Sequence, residues 1–171
     1  LLRERQEGTF RRILTAPMTR ATLLVGKLVP YYLVNLVQIG LMFAVGVLLF
    51  GVRPGSVPAL VVVSLALAAS ANGMGLLVAA LGRTEAQVNG FSVLLAVALS
   101  ALGGMMVPSF VMPPGLRLLS RFTPHAWALE GYHDAMIRGL GLRDVLPEAG
   151  VLLGFAALFF AFALWRFRFD R

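Results

Sequence analysis

Cysteine is absent from the 171 residues, so the chain has no disulfide framework and no thiolate metal site. Charge is scarce as well. Only 13% of the residues are Asp, Glu, Lys or Arg, about half the share of an average soluble domain. With 58% hydrophobic residues and a mean hydropathy of +0.83, too little polar surface remains to cover a body bathed in water. No long apolar run carries Asp, Glu, Lys, Arg or His at its centre, which disfavours a proton relay or a tight ion site within a membrane. A phosphate loop is missing too. Gly26-Lys27 has Ala21 where that motif needs its first glycine and Leu28 where it needs Ser or Thr. Lys27 reads instead as a side chain reaching out of the end of a span. No initiator Met or signal-peptide n-region stands at Leu1, and the opening reads as that of the C-terminal part of a longer protein. No internal repeat or low-complexity tract is visible.

What is present is hydrocarbon in blocks. A bilayer core needs about twenty apolar residues per helix, and four stretches meet or approach that: 28–50, 57–81, 88–107 and 149–165. The first ends in Gly51-Val52-Arg53-Pro54-Gly55, the second in Gly82-Arg83-Thr84-Glu85, and the third at Pro108. Short loops make consecutive helices antiparallel neighbours. The fold class is an all-α polytopic membrane protein of one domain, 1–171, with four transmembrane helices. Residues 1–19 form a cytoplasmic amphipathic helix, and residues 108–148 an extracytoplasmic or re-entrant helical segment before the last span.

Charge gives the orientation. Leu1 to Lys27 holds six basic residues against Glu4 and Glu7, net +4, and the tail after Trp165 holds three Arg against Asp170, net +2. The segment between the third and fourth spans holds four Arg against four acids, net zero. Both termini therefore belong in the cytoplasm of a cell (plasma or inner) membrane. The overall charge of +7 needs no nucleic-acid partner once this asymmetry is counted.

Within 108–148, Thr123-Pro124 is a helix start, an N-cap followed by Pro at N1. Leu129, Tyr132, Met136 and Leu140 follow at helical spacing, and Gly139 or Gly141 can end the helix. Glu130, His133 and Asp134, with His125 nearby, form the one cluster suited to acid–base or metal chemistry. Glu130-x-x-His133 has the spacing of di-iron helices, but those need a second such helix and further Glu residues. An i, i+4 pair between Asp134 and Arg138 is the plainer reading.

Neutral polar residues mark the spans. Tyr31, Asn35 and Gln38 lie at i, i+4, i+7 on one face of the first span, continued by Met42, and Asn72 lies in the run Ala68-Ala69-Ser70-Ala71-Asn72-Gly73. Two readings stand: hydrogen bonding between helices, or the lining of a substrate route. Ala69…Gly73 and Ala71…Gly75 are small-residue pairs that permit close helix packing.

The first stretch is the long polar run of the chain. Phe10, Ile13 and Leu14 share a helical face, Glu7 and Arg11 form a helix-supporting pair, and Pro17 stops the helix near Thr15. Thr19 is suited to cap the next one. Such a helix can lie on anionic headgroups or dock on a protein. The narrow apolar face and the two acids favour a protein.

The run Glu4-Arg5-Gln6-Glu7-Gly8-Thr9-Phe10, then Ile13-Leu14, Pro17 and Gly26-Lys27, resembles the signature of the type-2 ABC exporter permeases. The stretch Gly104, Pro108, Met112-Pro113 and Pro124-His125-Ala126-Trp127 resembles the same family's segment before its last helix. The resemblance covers essentially the whole chain. It implies a six-helix permease of which the first two membrane helices are not in this sequence, acting as a homo- or heterodimer in the bilayer. Two separate ABC ATPase subunits would bind ATP and Mg and drive export of a drug, lipid, glycan or similar substrate. This chain itself would hold no cofactor, no metal and no catalytic residue. It further implies that residues 1–19 are the coupling helix. Glu4, Glu7, Arg11 and Arg12 would dock through polar contacts, Phe10, Ile13 and Leu14 through apolar ones, alongside Gly8 and Thr9, with Pro17 fixing the elbow. Pro108, Pro113, Pro124 and Trp127 would belong to the extracytoplasmic segment. The alternatives are a membrane-embedded enzyme using Glu130, His133 and Asp134, or a membrane anchor subunit that does not transport.

Overall fold

The computed structural model describes residues 20–166. The coupling-helix residues Glu4 to Pro17 and the basic tail after Arg166 lie outside the described residues. Among the described residues six helices follow one another: α1 Arg20–Phe50, α2 Val57–Leu81, α3 Glu85–Leu102, α4 Pro114–Ser120, α5 Pro124–Met136 and α6 Leu146–Arg166. Four stretches are long and apolar enough to cross a membrane: Leu28–Phe50, Val57–Leu81, Glu85–Leu102 and Leu146–Arg166. This is a polytopic all-α membrane protein.

α1 has 31 residues and runs through Pro30 without ending. It stops at Gly51, whose φ of +63° takes the chain out of the helix, and the Val52 N–H folds back onto the Gly46 carbonyl at 3.0 Å. A second left-handed glycine, Gly55, brings the chain against the end of α5. There the Ser56 N–H donates to the Ala135 carbonyl at 3.0 Å. α2 follows with Pro58 in its first turn, where no N–H is needed.

α2 is the axis of the bundle. It packs against α6 along its length and against α5 at one end, and the shared core consists mainly of small residues: Ala59, Val63, Ala66, Ala128, Ala149 and Leu152. Gly73 permits a close approach of α6, since a Cβ there would stand 3.0 Å from the Ala156 carbonyl oxygen. Between apolar helices in lipid, such close packing supplies attraction that the hydrophobic effect cannot. Of the two small-residue pairs, the one ending at Gly73 serves this crossing, while Gly75 stands in open space.

α3 differs from the 88–107 expected. It begins at Glu85 because Thr84 caps it, its hydroxyl accepting from the Gln87 N–H at 3.2 Å, while the Gln87 side chain accepts from the Arg83 N–H. It ends at Leu102 because Gly103 lies tightly against His125 and Gly104 turns with φ +90°. The stop is a glycine pair, not Pro108. α6 also departs from the expected 149–165. It takes in Pro147 and Glu148 because a first-turn proline is tolerated and a first-turn acid complements the helix dipole.

Candidate functional site

The segment between α3 and α6 is folded back on the bundle by local chemistry. Arg117 on α4 donates to three carbonyls of the preceding non-helical stretch, those of Ser109 (3.0 Å), Phe110 (3.4 Å) and Met112 (3.4 Å). Non-helical backbone near a bilayer requires such partners. Pro108 and Pro113 shape this stretch: the Pro108 carbonyl accepts from the Val111 N–H, and Pro113 leads into α4. Thr123 caps α5 as expected, accepting from the Ala126 N–H and donating to the Ser120 carbonyl at 2.7 Å. Pro124 opens the helix, and the Trp127 indole N–H donates to the Arg121 carbonyl at 2.8 Å, closing the α4–α5 turn.

Of the Glu130, His133 and Asp134 cluster, the two carboxylates are engaged internally. Arg138 pairs with Asp134, as the i, i+4 spacing implies, and reaches Glu130 at 3.5 Å. The hydrogen bond and charge of Asp134 push the Arg138 guanidinium above its ordinary pKa. Both carboxylates thus answer one cation. No group of three or more His, Asp or Glu residues suited to a metal ion exists among the described residues. This face carries a hollow of about 360 Å³ whose lining includes Arg117, Arg121, Glu130, His133 and Glu148.

The larger cavity lies between α1, α2 and α5. It has a volume of about 640 Å³, and Asn35, Gln38, Met42, Ala71, His125 and Tyr132 are among its lining residues. The two readings of the polar face divide here. Asn35 Nδ2 donates to Asn72 Oδ1 at 3.0 Å, so these two residues join α1 to α2. Gln38, one turn further, lines the cavity. Tyr31 does neither: it is 67% exposed, and its neighbour Tyr32 makes the second α1–α2 link, donating to the Leu65 carbonyl at 3.1 Å. In the cavity wall Tyr132 shares a hydrogen bond with Ser64 at 3.0 Å and tilts against the Phe43 ring at 5.6 Å. Burial raises the Tyr132 pKa and lowers that of His125, so both are neutral at pH 7. Sequence reasoning missed Tyr32, Ser64 and the place of His125. Ser64 and Tyr132 are 68 positions apart, and no local pattern relates them.

Fold and cavity together define a multi-pass helical membrane protein built around an uncharged cleft between its spans. A family model described as "ABC-2 family transporter protein" matches residues 1–165. The chain belongs to this ABC-2 family. It is 30% identical over 164 residues to the linearmycin resistance permease protein LnrN of Bacillus subtilis, covering 96% of this chain and 43% of that protein. It is 29% identical over 172 residues to the inner membrane transport permease YhhJ of Escherichia coli, covering 98% of this chain and 46% of that protein. The chain thus spans less than half the length of either relative. No solved structure matches it.

Proposed function

We propose that the chain is part of the permease subunit of an ATP-driven exporter, working with a separate ABC ATPase that holds ATP and Mg, and with a second permease copy. The observation that carries this reading is the continuity of α1. Within the described residues the helix runs from Arg20 and without a break delivers Asn35 and Gln38 to the cleft, and the stretch that resembles the coupling helix precedes it in the sequence. A helix carries a displacement along its axis, so one imposed at one end by an ATPase reaches the cleft, less the part taken up by bending at Pro30. Only a difference in contact between the ATPase states can supply the work. Outward transport is supported by the name of one relative, a resistance permease. On this reading both termini face the cytoplasm, the 51–56 loop and α5 face outside, and the protein is no enzyme. The enzyme alternative is disfavoured by Arg138, which already pairs with both Glu130 and Asp134.

The test uses the full-length permease with its ATPase. Leu14→Asp puts a carboxylate on the apolar face of the docking helix, at a cost of several kcal/mol if no basic group answers it. Since each 1.4 kcal/mol is tenfold in affinity, ATPase copurification should collapse while membrane insertion persists. Arg12→Ala should do far less, a rim ion pair being worth about 0–1 kcal/mol. Intact ATPase binding and transport in Leu14→Asp would overturn the coupling role.

A further inference from the structure

The cleft has a chemical character beyond its place between the spans. Among the described residues no Asp, Glu, Lys or Arg lines it, although three arginines and two glutamates line the neighbouring hollow. Its polar lining is Asn35, Gln38, Ser100, His125 and Tyr132, all groups without formal charge at pH 7. The nearby ions are committed elsewhere, Arg138 to Asp134 and Glu130, and Arg117 to backbone carbonyls. An ion entering the cleft would shed water and meet no counter-charge, which is the costly case for burial.

The hydrogen-bonding capacity that remains is specific. Asn35 spends one donor on Asn72, and the Tyr132 hydroxyl is shared with Ser64. Gln38 brings a carbonyl oxygen and an NH2 group to the lining. His125 lines the cleft, and its buried Nδ1 has no hydrogen-bond partner among the described residues. A carboxamide and a neutral imidazole each donate and accept. A ligand hydroxyl or amide does both in return, whereas a sulfonate only accepts and an ammonium only donates. The apolar lining is of a different kind. Met42, Met105 and Met136 all face the space, and unbranched thioethers adapt to many shapes. The volume of about 640 Å³ falls in the range of small-molecule sites.

We propose that the cleft between α1, α2 and α5 binds uncharged amphiphiles, apolar molecules carrying a hydroxyl or carboxamide group, and that it is strict about charge but permissive about the shape of the apolar body. This deepens the permease reading by naming its substrate class, and as a transport statement it rests on that reading.

The test is photolabelling of the full-length permease with its ATPase in native membranes, without ATP. Three probes share one diazirine-bearing alkyl chain and end in a glycerol monoester, a sulfonate or a primary ammonium group. The glycerol ester should label peptides containing Met42, Met105 or Met136 at least tenfold more than either ion. A long-chain alcohol should compete, and an alkylammonium of equal length should not. Gln38→Glu should raise ammonium labelling of the same peptides about tenfold and leave the sulfonate excluded. The wild-type competition keeps the test decisive should that variant fail to assemble. Equal labelling by all three probes would overturn the proposal. So would labelling of the outward face of α3 with none in the cleft, which would mean that another helix fills it. Neither outcome touches ATPase binding, so the permease reading stands or falls separately on Leu14→Asp.

Discussion

Two glycines of the α1–α2 loop offer a controlled comparison. Gly51 and Gly55 have nearly equal left-handed φ angles, +63° and +62°. A Cβ at Gly51 would meet nothing within 4 Å, whereas one at Gly55 would lie 2.2 Å from the Ala135 carbonyl oxygen and 3.0 Å from Met136 Cα. Gly51→Ala therefore costs only the backbone preference, about 1–2 kcal/mol. Gly55→Ala costs the same plus the retreat of the loop from α5. That retreat breaks the Ser56 N–H to Ala135 bond, a further 0.5–1.5 kcal/mol or about that. The expected total is about 1.5–3.5 kcal/mol, or roughly 3–14 °C in midpoint at 2–4 °C per kcal/mol for a chain of this size. Size-exclusion recovery of detergent-solubilised protein after heating to a series of temperatures measures it. Gly55→Ala should melt several degrees below Gly51→Ala. Equal midpoints for the two variants would show that the loop is not pinned to α5.

The Asn35–Asn72 bond predicts that Asn35→Leu and Asn72→Leu each lower stability by about 0.6 kcal/mol, the average for such bonds in membranes. The double variant should cost less than the sum, and full additivity in the same melting assay would refute the contact. His125 predicts a pH dependence. Its burial lowers the folded pKa below the unfolded value of about 6.5, so above that value neither state takes a proton and stability is full. Below it the unfolded chain is protonated first, and stability should fall as pH drops from about 6.5 toward the lower folded pKa. His125→Gln should flatten the slope of midpoint against pH over that window; an unchanged slope would refute the assignment. For orientation, the cysteine-free sequence allows single-cysteine labelling: Ser56→Cys and Arg143→Cys should react only from outside, and Arg168→Cys only from the cytoplasm. Reaction of Arg143→Cys from the cytoplasm would reverse the reading.

Much of the frame was legible because it rests on local chemistry. Thr123-Pro124 announces a helix start to its neighbours alone, and Asp134 reaches Arg138 within one helix. The end of α3 was misread because proline is the louder stop signal, whereas Gly103 and Gly104 act through a contact with His125 that only the tertiary fold supplies. Asn35 and Asn72 were both visible as polar residues in apolar spans. That they face each other was not, since periodicity gives the face of a helix but not its rotation against a neighbour. The cleft lay beyond reach for the same reason, its walls coming from four separated parts of the chain.

The position of Asn35 has a mechanical consequence. It stands fifteen residues before Phe50, and its bond to Asn72, with that of Tyr32 to the Leu65 carbonyl three residues earlier, holds α1 against α2 over one short stretch. The arm from Asn35 to Phe50 is about 22 Å long at 1.5 Å per residue. A rod held over such a stretch is a see-saw, and a sideways push on the arm before it would return at the Phe50 arm in the opposite sense. The far arm is tethered through Ser56 to the end of α5, so the swing would be delivered to the helix that carries His125 and Tyr132. Pro30 sits in the near arm, where a missing backbone hydrogen bond makes bending easiest. A stroke at the Arg20 end would thus divide between flexing at Pro30 and tilting about Asn35, and stiffening the arm with Pro30→Ala would send more of it across.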